Sequence, residues 1–425
     1  MALLQHAAFL LVFVGTLAFF SWLDVANVRY GEHRLRERAD WVSERFDADP
    51  DEIADYDRAK TGVSLLETWT TLLLVLVVLY SGLFADAVSA LQSTGLPMVA
   101  QGAVFFAGAA VLLSLATTPF SAYSTFVVED LFDFNEQTPR LFVRDLLVSL
   151  AVSIVLVGGL SAALLWIIDT LPGLWAVGGL ALFVVFSLAM QVVYPRVIAP
   201  LFNDFTPIEE GDLREAVEAV FSRAGFECDQ LYEMDASRRS SKTNAYFIGF
   251  GRTKRVVLFD TLVDEMSLDE VQAVLAHELA HWRENHVWKL MAASFVQIGV
   301  LLAAAQYLTA TGWLYAMFGV PADATYAGLA LALLWLFPLL QWLSPVTNQF
   351  SLAFEREADD FGAKIAGTRS MVTALQTLGG ENLANPFPHP LYETFHYDHP
   401  PIPERIRRLE EEETASEGED GAAPA

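Results

Sequence analysis

The stretch Leu146–Ile168, LLVSLAVSIVLVGGLSAALLWII, contains 23 residues without a single charge, and it decides the class of fold. As a helix rising about 1.5 Å per residue, it is long enough to cross the roughly 30 Å hydrocarbon core of a bilayer. Six further stretches are also long and apolar, with Lys289 as their one charged residue: Leu3–Leu23, Trp69–Phe84, Met98–Ala116, Leu174–Tyr194, Val287–Leu308 and Ala327–Leu343. The sequence therefore predicts an all-α membrane domain with seven transmembrane helices.

The charge of the loops between these spans alternates along the chain. Basic residues are frequent after the first, third and fifth spans and in the C-terminal tail. The segment before the first span and the loops Ala85–Pro97, Asp169–Pro172 and Thr309–Thr325 contain no Lys or Arg. The positive-inside rule then predicts a multi-pass protein of the cell membrane, with its N-terminus outside and its C-terminus in the cytoplasm.

The overall composition excludes some classes of function. The chain carries 52 acidic and 26 basic residues, a formal net charge of −26, so it cannot neutralise phosphates and we expect no nucleic-acid partner. Only five residues are lysine, and this acidic, lysine-poor composition is typical of adaptation to high salt. The single cysteine, Cys228, excludes an internal disulfide and a cysteine-based metal site.

The long segment after the fifth span has the pattern of a small α+β domain. Asp212–Ala224 is predicted as an amphipathic helix, and Ser267–Glu284 as a helix capped by Ser267. The predicted strands are Gln230–Met234, Ala245–Phe250 and Arg255–Phe259.

The second of these helices contains His277-Glu278-Leu279-Ala280-His281. Histidines at i and i+4 lie on one helical face, so both imidazoles can reach one tetrahedral Zn²⁺. Glu278 is adjacent to the first histidine, where its carboxylate can reach a metal-bound water without binding the metal. A pair of surface histidines would give the same pattern, so a third ligand is needed.

A candidate third ligand follows the seventh span, in the helical segment Ser351–Asp359. Glu355 and Asp359 are at i and i+4 and share a face. Glu355 can bind the metal while Asp359 accepts the outer N–H of a ligand histidine. Glu357 points away, as expected of a solvated or structural carboxylate. Without the histidines, the segment would be only a charged helix.

Two more groups of residues are candidates for catalysis and substrate binding. In the tail, His399 and Arg405 lie on a proline-rich segment and can donate to an oxyanion. From the residues alone, a structural role for His399 or Arg405 explains the sequence as well as a catalytic role does. Asn244 and Ala245 open a predicted strand that can pair with an extended peptide, although an Asn before a strand is usually a turn residue.

These residues carry a family resemblance. The chain resembles the integral-membrane zinc CAAX prenyl endopeptidases, the sterile-mutant type protease within the gluzincin metallopeptidases. The resemblance spans most of the chain and is densest in Asn244–Phe250 (NAYFIGF), Lys254–Leu262 (KRVVLFDTL), His277–Trp282 (HELAHW), Glu355-x-x-Ala358-Asp359 and His399-Pro400-x-x-x-Glu404-Arg405. The insertion that eukaryotic members carry before the metal helix and an endoplasmic-reticulum retention signal are both absent, which indicates a prokaryotic, haloarchaeal member.

The resemblance implies that the seven helices enclose a chamber, with a gluzincin zinc-peptidase domain on the cytoplasmic side. It implies one Zn²⁺ per chain held by His277, His281 and Glu355, Glu278 as general base, substrate contacts from Asn244 and Ala245, and transition-state contacts from His399 and Arg405. The expected partners are the bilayer and a peptide or protein substrate, lipidated or membrane-bound.

The chain is accordingly divided into five parts. Residues 1–194 form the membrane domain with spans one to five, 195–286 the cytoplasmic peptidase segment with the metal helix, 287–343 spans six and seven, 344–409 the cytoplasmic segment with the third ligand, and 410–425 a disordered acidic tail.

The predicted function is a membrane zinc endopeptidase that cuts near the cytoplasmic face. It would act in CAAX-type C-terminal processing or in quality control of membrane proteins. The alternative is a transporter or scaffold that retains a non-catalytic zinc site. A transporter would show paired intramembrane charges or broken half-helices in repeated positions, and the sequence contains neither.

Overall fold

The computed structural model describes residues 2–227, 230–248 and 255–420, in which the chain is mainly helical. The helices are α1 (Ala2–Glu37), α2 (Ala39–Phe46), α3 (Pro50–Tyr80), α4 (Leu83–Ser93), α5 (Met98–Tyr123), α6 (Pro139–Thr170), α7 (Trp175–Val193), α8 (Asp212–Ala224), α9 (Asp260–Glu265), α10 (Leu268–Arg283), α11 (His286–Thr309), α12 (Gly312–Ala316), α13 (Thr325–Gln341), α14 (Ser344–Ala366), α15 (Thr368–Glu381), α16 (Pro390–His396) and α17 (Ile402–Asp420). The strands are β1 (Phe205–Pro207), β2 (Leu231–Met234), β3 (Ala245–Ile248) and β4 (Arg255–Phe259).

The protein is a multi-pass membrane protein with six to seven apolar helices. Helices α1, α3, α5, α6, α7 and α11 are each long and apolar enough to cross a bilayer. Helix α13 bends by 50° into α14, and this pair accounts for the seventh span. The predicted spans lie within these helices to within two residues, apart from Trp69–Phe84. Helix α3 ends at Tyr80, because Gly82 adopts a left-handed φ of 94° before α4 begins.

The seven spanning helices close into a ring. Helix α1 packs against α3, α3 against α5, α5 against α6, α6 against α7, α7 against α11, α11 against α13, and α13 again against α1. Of the residues in the most apolar 18-residue window of each long span, only 6–22% are buried inside the protein. Helices that surround a chamber leave their inner as well as their outer faces unburied, so this low burial agrees with the chamber that the family resemblance implies.

One end of this ring is closed by a hydrophobic core that includes Phe9, Leu165 and Tyr326. There α13 crosses the ring to contact α5. A Cβ atom on Gly102 would lie 2.9 Å from the Cβ of Tyr326, and the tyrosine hydroxyl is 3.2 Å from Oε1 of Gln101. Only glycine allows the two helices to come so close at this point.

The other end of the ring carries the α+β domain. Its four-stranded sheet has the order β1-β2-β4-β3, so β3 is an edge strand, paired antiparallel to β4 with Ala245 opposite Leu258. Helix α10 packs between α8, α14 and α15, and the core around it contains Val220, Leu275 and Met371. The fold predicted for this segment is confirmed, with a small mixed sheet beside the metal helix. The last two residues of the predicted strand Ala245–Phe250 lie outside the described residues.

Two details differ from the sequence-based expectations. The short strand β1 was not predicted, because its three residues carry no alternating pattern long enough to detect. Helix α17 continues through Glu410, where we expected disorder, to Asp420. Leu409 is buried, and the i,i+4 pair Arg408–Glu412 extends the helix at the surface. Residues 421–425 lie outside the described part of the chain.

Candidate metal centre and active site

Helix α10 presents the two predicted metal-binding histidines. It begins with a capping box in which the Ser267 hydroxyl accepts from the Glu270 backbone N–H, while the Glu270 carboxylate accepts from the Ser267 backbone N–H at 2.8 Å. Helix α14 passes close behind, and a Cβ on Gly362 would lie 3.4 Å from the backbone nitrogen of His277. This close contact brings the acidic face of α14 against the histidine face of α10.

The structure brings His277, His281 and Glu355 together with all three ligand atoms within 4.8 Å of one another. The Nε2 atoms of the two histidines are 3.4 Å apart. Each lies 3.3 Å from a Glu355 carboxylate oxygen, His277 from Oε2 and His281 from Oε1. Three converging ligand atoms of these types are a donor set that Zn²⁺ prefers, with one position left for water or substrate.

The surroundings of Glu355 fit a bound cation. Its side chain is buried, and its Oε2 makes no hydrogen bond with the described residues, although His277 Nε2 is nearby. Burial alone would raise the pKa of Glu355, but the contacts with His277 and His281 outweigh it and hold the pKa below its usual range. A buried carboxylate oxygen without a hydrogen-bond donor is costly unless a metal ion supplies the missing partner.

Asp359 and Arg405 form the outer support of His277. Asp359 Oδ1 lies 3.0 Å from His277 Nδ1, which leaves Nε2 for the metal. Arg405 donates to both carboxylate oxygens of Asp359, from Nε at 2.9 Å and from Nη2 at 2.5 Å. Burial opposes ionisation of Asp359, yet the hydrogen bonds from His277 and Arg405 prevail and lower its pKa to about 2.

His281 has an outer partner that the sequence did not reveal. Its Nδ1 is 3.1 Å from Nδ1 of His286, the first residue of α11, and His286 Nε2 is 3.0 Å from Oε2 of Glu357. His286 is fully buried and stacks on Phe354, with ring centroids 4.2 Å apart. Asn285, in a left-handed conformation with φ 59°, turns the chain between α10 and α11 and so places His286 here. No pattern in the sequence indicates this corner.

The remaining predicted site residues line one cavity of 160 Å³ beside the metal ligands. Asn244, Ala245, Glu278, His399 and Arg405 all contribute to its wall, together with His277. The rest of the wall is apolar: Leu262, Val274, Met371, Ala374, Leu375 and Leu378. No pattern in the sequence marks these six residues, whose apolar side chains look like ordinary core positions. The cavity suits an apolar side chain placed next to the reacting group.

His399 directs one ring nitrogen toward the metal ligands. Its Nε2 is 3.2 Å from Oε1 of Glu355, and its Nδ1 is 2.9 Å from Oδ1 of Asp398. The hydrogen bond that Asp398 accepts from His399 outweighs partial burial and raises the pKa of His399. A protonated imidazole ring nitrogen can donate a hydrogen bond to an anion.

This combination of a ring of apolar helices and a buried His-His-Glu centre in an attached α+β domain defines a membrane-embedded zinc metalloprotease. Comparisons with known proteins identify the family. Residues 43–204 match the CAAX prenyl protease N-terminal domain with its five membrane helices, and residues 207–413 match peptidase family M48. The chain therefore belongs to the M48 peptidases of the CAAX prenyl protease type.

Curated relatives and a solved structure agree with this assignment. CAAX prenyl protease 1 homolog of Arabidopsis thaliana is 38% identical over 312 residues, 73% of each chain. CAAX prenyl protease 1 of Saccharomyces cerevisiae is 34% identical over 385 residues, 84% of each chain. The crystal structure of S. mikatae Ste24p superimposes with a TM-score of 0.84 at 28% identity, covering 95% of this chain and 98% of that one.

Proposed function

We propose that the protein is an endopeptidase that shortens the C-termini of proteins ending in a CAAX sequence, a cysteine followed by two aliphatic residues and one variable residue. The observation that carries the proposal is one cavity that Glu278, His399, Arg405, Asn244 and Ala245 line together with His277, whose ligand atom converges with those of His281 and Glu355. The names of the relatives in plants and yeast favour CAAX substrates over general quality control of membrane proteins.

In the proposed mechanism, His277, His281 and Glu355 hold one Zn²⁺, which when bound lowers the pKa of water and polarises the scissile carbonyl. Glu278 removes a proton from the attacking water and delivers it to the leaving amine. His399 and Arg405 donate hydrogen bonds to the oxyanion that forms on the carbonyl oxygen.

The supporting residues keep these groups in place. Asp359 holds Arg405 through two hydrogen bonds and also accepts from His277, so one carboxylate orients a metal-binding residue and an oxyanion donor together. Asp398 orients His399 in a similar way.

The substrate would bind as an additional strand beside β3. This strand is at the edge of the sheet, and its first residue, Ala245, lines the cavity with Asn244. Backbone pairing with an edge strand binds an extended peptide of any sequence, and pockets for side chains add selectivity. The apolar wall of the cavity would receive the aliphatic residue that follows the cysteine of the substrate.

The reaction is assigned to the cytoplasmic face of the cell membrane. The support is the alternation of basic and non-basic loops along the chain, which orients the N-terminus outward and the peptidase segments inward. The five-part division of the chain, with peptidase segments at 195–286 and 344–409, follows from this orientation. The net charge of −26 argues against a nucleic-acid partner.

Mass-spectrometric mapping of cleavage sites tests this function. Purified, zinc-loaded protein is incubated with a peptide ending in a CAAX sequence, in prenylated and unmodified forms, and with an unfolded protein lacking such an end. Cleavage directly after the cysteine, faster for the prenylated peptide, is the expected result. Internal cuts in the unfolded protein alone would indicate quality control, and no cleavage of any substrate would favour a scaffold or transporter.

A further inference from the structure

Two lysines meet at one aromatic ring in the described part of the chain. The Nζ atoms of Lys60 and Lys242 lie 4.9 and 5.0 Å from the centre of the Tyr56 ring. Lys60 follows Tyr56 by one turn of α3, whereas Lys242 belongs to the segment before β3. A chain with a net charge of −26 and only five lysines thus places two of them together.

The two ammonium groups differ in their partners. Lys242 forms an ion pair with Glu129 at 2.9 Å, and the Tyr56 hydroxyl also donates to Glu129 at 2.9 Å. The ammonium of Lys60 makes no ion pair or hydrogen bond with the described residues, and the side chain is exposed. One cation is therefore available to an anionic ligand, and the second, nearby, can strengthen its binding.

Residues close in sequence to each lysine connect it to the active site. Lys242 precedes Asn244 by two residues, and the intervening Thr243 is buried and accepts a hydrogen bond from Asn382. Asp57, which like Lys60 belongs to α3, accepts a hydrogen bond from the side chain of Asn385 at 3.0 Å. Asn385 lines a cavity of 370 Å³ whose wall also includes the active-site residues His399 and Arg405.

The spacing sets how far the cations lie from the scissile bond. Ala245 lies beside the metal ligands, and Lys242 comes three residues earlier, which is about 10 Å for an extended chain at roughly 3.3 Å per residue. A peptide paired with β3 would cover that distance with two to three residues. The cationic end of the path suits the end of the peptide that carries a negative charge, which is the C-terminus.

We propose that Lys60 and Lys242 form a binding site for the free C-terminal carboxylate of the substrate, and that this site sets the cut two to three residues from the chain end. The inference rests on the proposed endopeptidase function and names what makes that function specific for chain ends. Lys60 supplies the direct ion pair, and Lys242, held by Glu129 and Tyr56, supplies a second positive charge.

Two peptides of identical sequence test the site, one with a free C-terminal carboxylate and one with a neutral carboxamide. For each, kcat/KM is measured with wild-type protein, Lys60→Gln, Lys242→Gln and the matched control Arg58→Gln. Arg58 is also a cation of α3, but it pairs with Glu32 and Asp55 instead. We expect wild type and Arg58→Gln to prefer the carboxylate peptide about tenfold or more, and Lys60→Gln to abolish most of that preference.

The ratio between the two peptides separates binding from structural damage. A purely structural role would lower kcat/KM for both peptides equally, and an unchanged preference in both lysine variants would overturn the proposal. If wild-type protein cleaves neither peptide, the endopeptidase function has failed instead. The affinities of both peptides for zinc-loaded protein, measured by fluorescence anisotropy, then decide the carboxylate site: equal affinities would overturn it.

Discussion

The Nδ1 atoms of His281 and His286 lie 3.1 Å apart, and this contact joins the metal centre to the first turn of α11. A histidine that binds metal through Nε2 carries its proton on Nδ1, so His281 donates to His286. His286 then carries its own proton on Nε2 and donates to Glu357 at 3.0 Å. The two hydrogen bonds together define one tautomer and one ring orientation for His281.

Replacing His286 should therefore weaken zinc binding although His286 does not reach the metal. His286→Phe preserves the stacking on Phe354 but leaves the buried Nδ1–H of His281 without an acceptor. We expect about a 10- to 100-fold loss of zinc affinity, measured by competition with a chelator. His33→Phe, at an exposed position of α1, is the control. Wild-type affinity in His286→Phe would show that the contact does not support the metal centre.

The two glutamates of α14 should differ in their effect on metal content. Glu355 is buried among the histidines, whereas Glu357 is mostly exposed and, among the described residues, pairs with His286. Glu355→Ala removes one of three ligands, so the purified variant should lose most of its zinc, while Glu357→Ala should retain most of it. Elemental analysis against protein concentration measures both. Full zinc in Glu355→Ala with loss in Glu357→Ala would reverse the ligand assignment.

Sequence patterns predicted the parts of this site that lie within single elements. His277 and His281 share a helical face because of their spacing, and Glu355 and Asp359 share another for the same reason. The residue types alone suggested that both faces hold one metal ion, and the resemblance to a family supported that assignment. His286 was missed because its position depends on the left-handed turn at Asn285, which no periodicity encodes.

For the fold as well, the sequence predicts features that lie within one helix but not those that depend on contacts between distant helices. Apolar runs of sufficient length predicted the spans, since a bilayer demands that each span satisfy its own backbone hydrogen bonds. The closed ring depends on contacts between distant helices, such as α1 with α13. The helix around Glu410 was missed because a charged surface lacks the apolar periodicity that signals a helix, although Leu409 anchors it.

The capping box at the start of α10 should contribute to stability in a pH-dependent way. Burial would raise the pKa of Glu270, but hydrogen bonds from Ser267 and Thr377 prevail and lower it. Because the folded-state pKa lies below the unfolded value, the stabilisation is complete above pH 4.5 and disappears as the pH falls through the folded-state pKa.

We therefore expect Ser267→Ala to reduce stability by about 0.5–2 kcal/mol at neutral pH. For Glu270→Gln, the difference from wild type should shrink as the solution is acidified. Thermal unfolding in detergent at several pH values measures both effects. A difference for Glu270→Gln that grows toward low pH would contradict the assigned sign of the pKa shift.

The orientation of the chain can be tested by cysteine labelling. In a Cys228→Ser background, Ala90→Cys places a thiol on the exposed surface of α4, and Ala415→Cys places one near the end of α17. The alternation of loop charges predicts that a membrane-impermeant maleimide labels Ala90→Cys in intact cells and labels Ala415→Cys only after lysis. Labelling in the opposite order would place the active site outside the cell.

Replacing Glu278 should separate proton transfer from metal binding. Glu278 lines the substrate cavity on the helix that carries both histidines, and it is not among the three residues whose ligand atoms converge. Glu278→Gln has the same shape but cannot accept a proton at neutral pH, so zinc content should stay close to one per chain while kcat falls at least about 100-fold.

Single-turnover kinetics on a model peptide, with elemental analysis of the same preparation, measures both quantities for Glu278→Gln. Glu284→Gln is the matched control, because Glu284 directly follows α10 and its exposed carboxylate pairs with Arg283. It should retain both zinc and the wild-type rate. If Glu278→Gln cleaved at the wild-type rate, Glu278 would not be the base. If it lost its zinc, the fall in rate would reflect loss of the metal centre rather than of proton transfer.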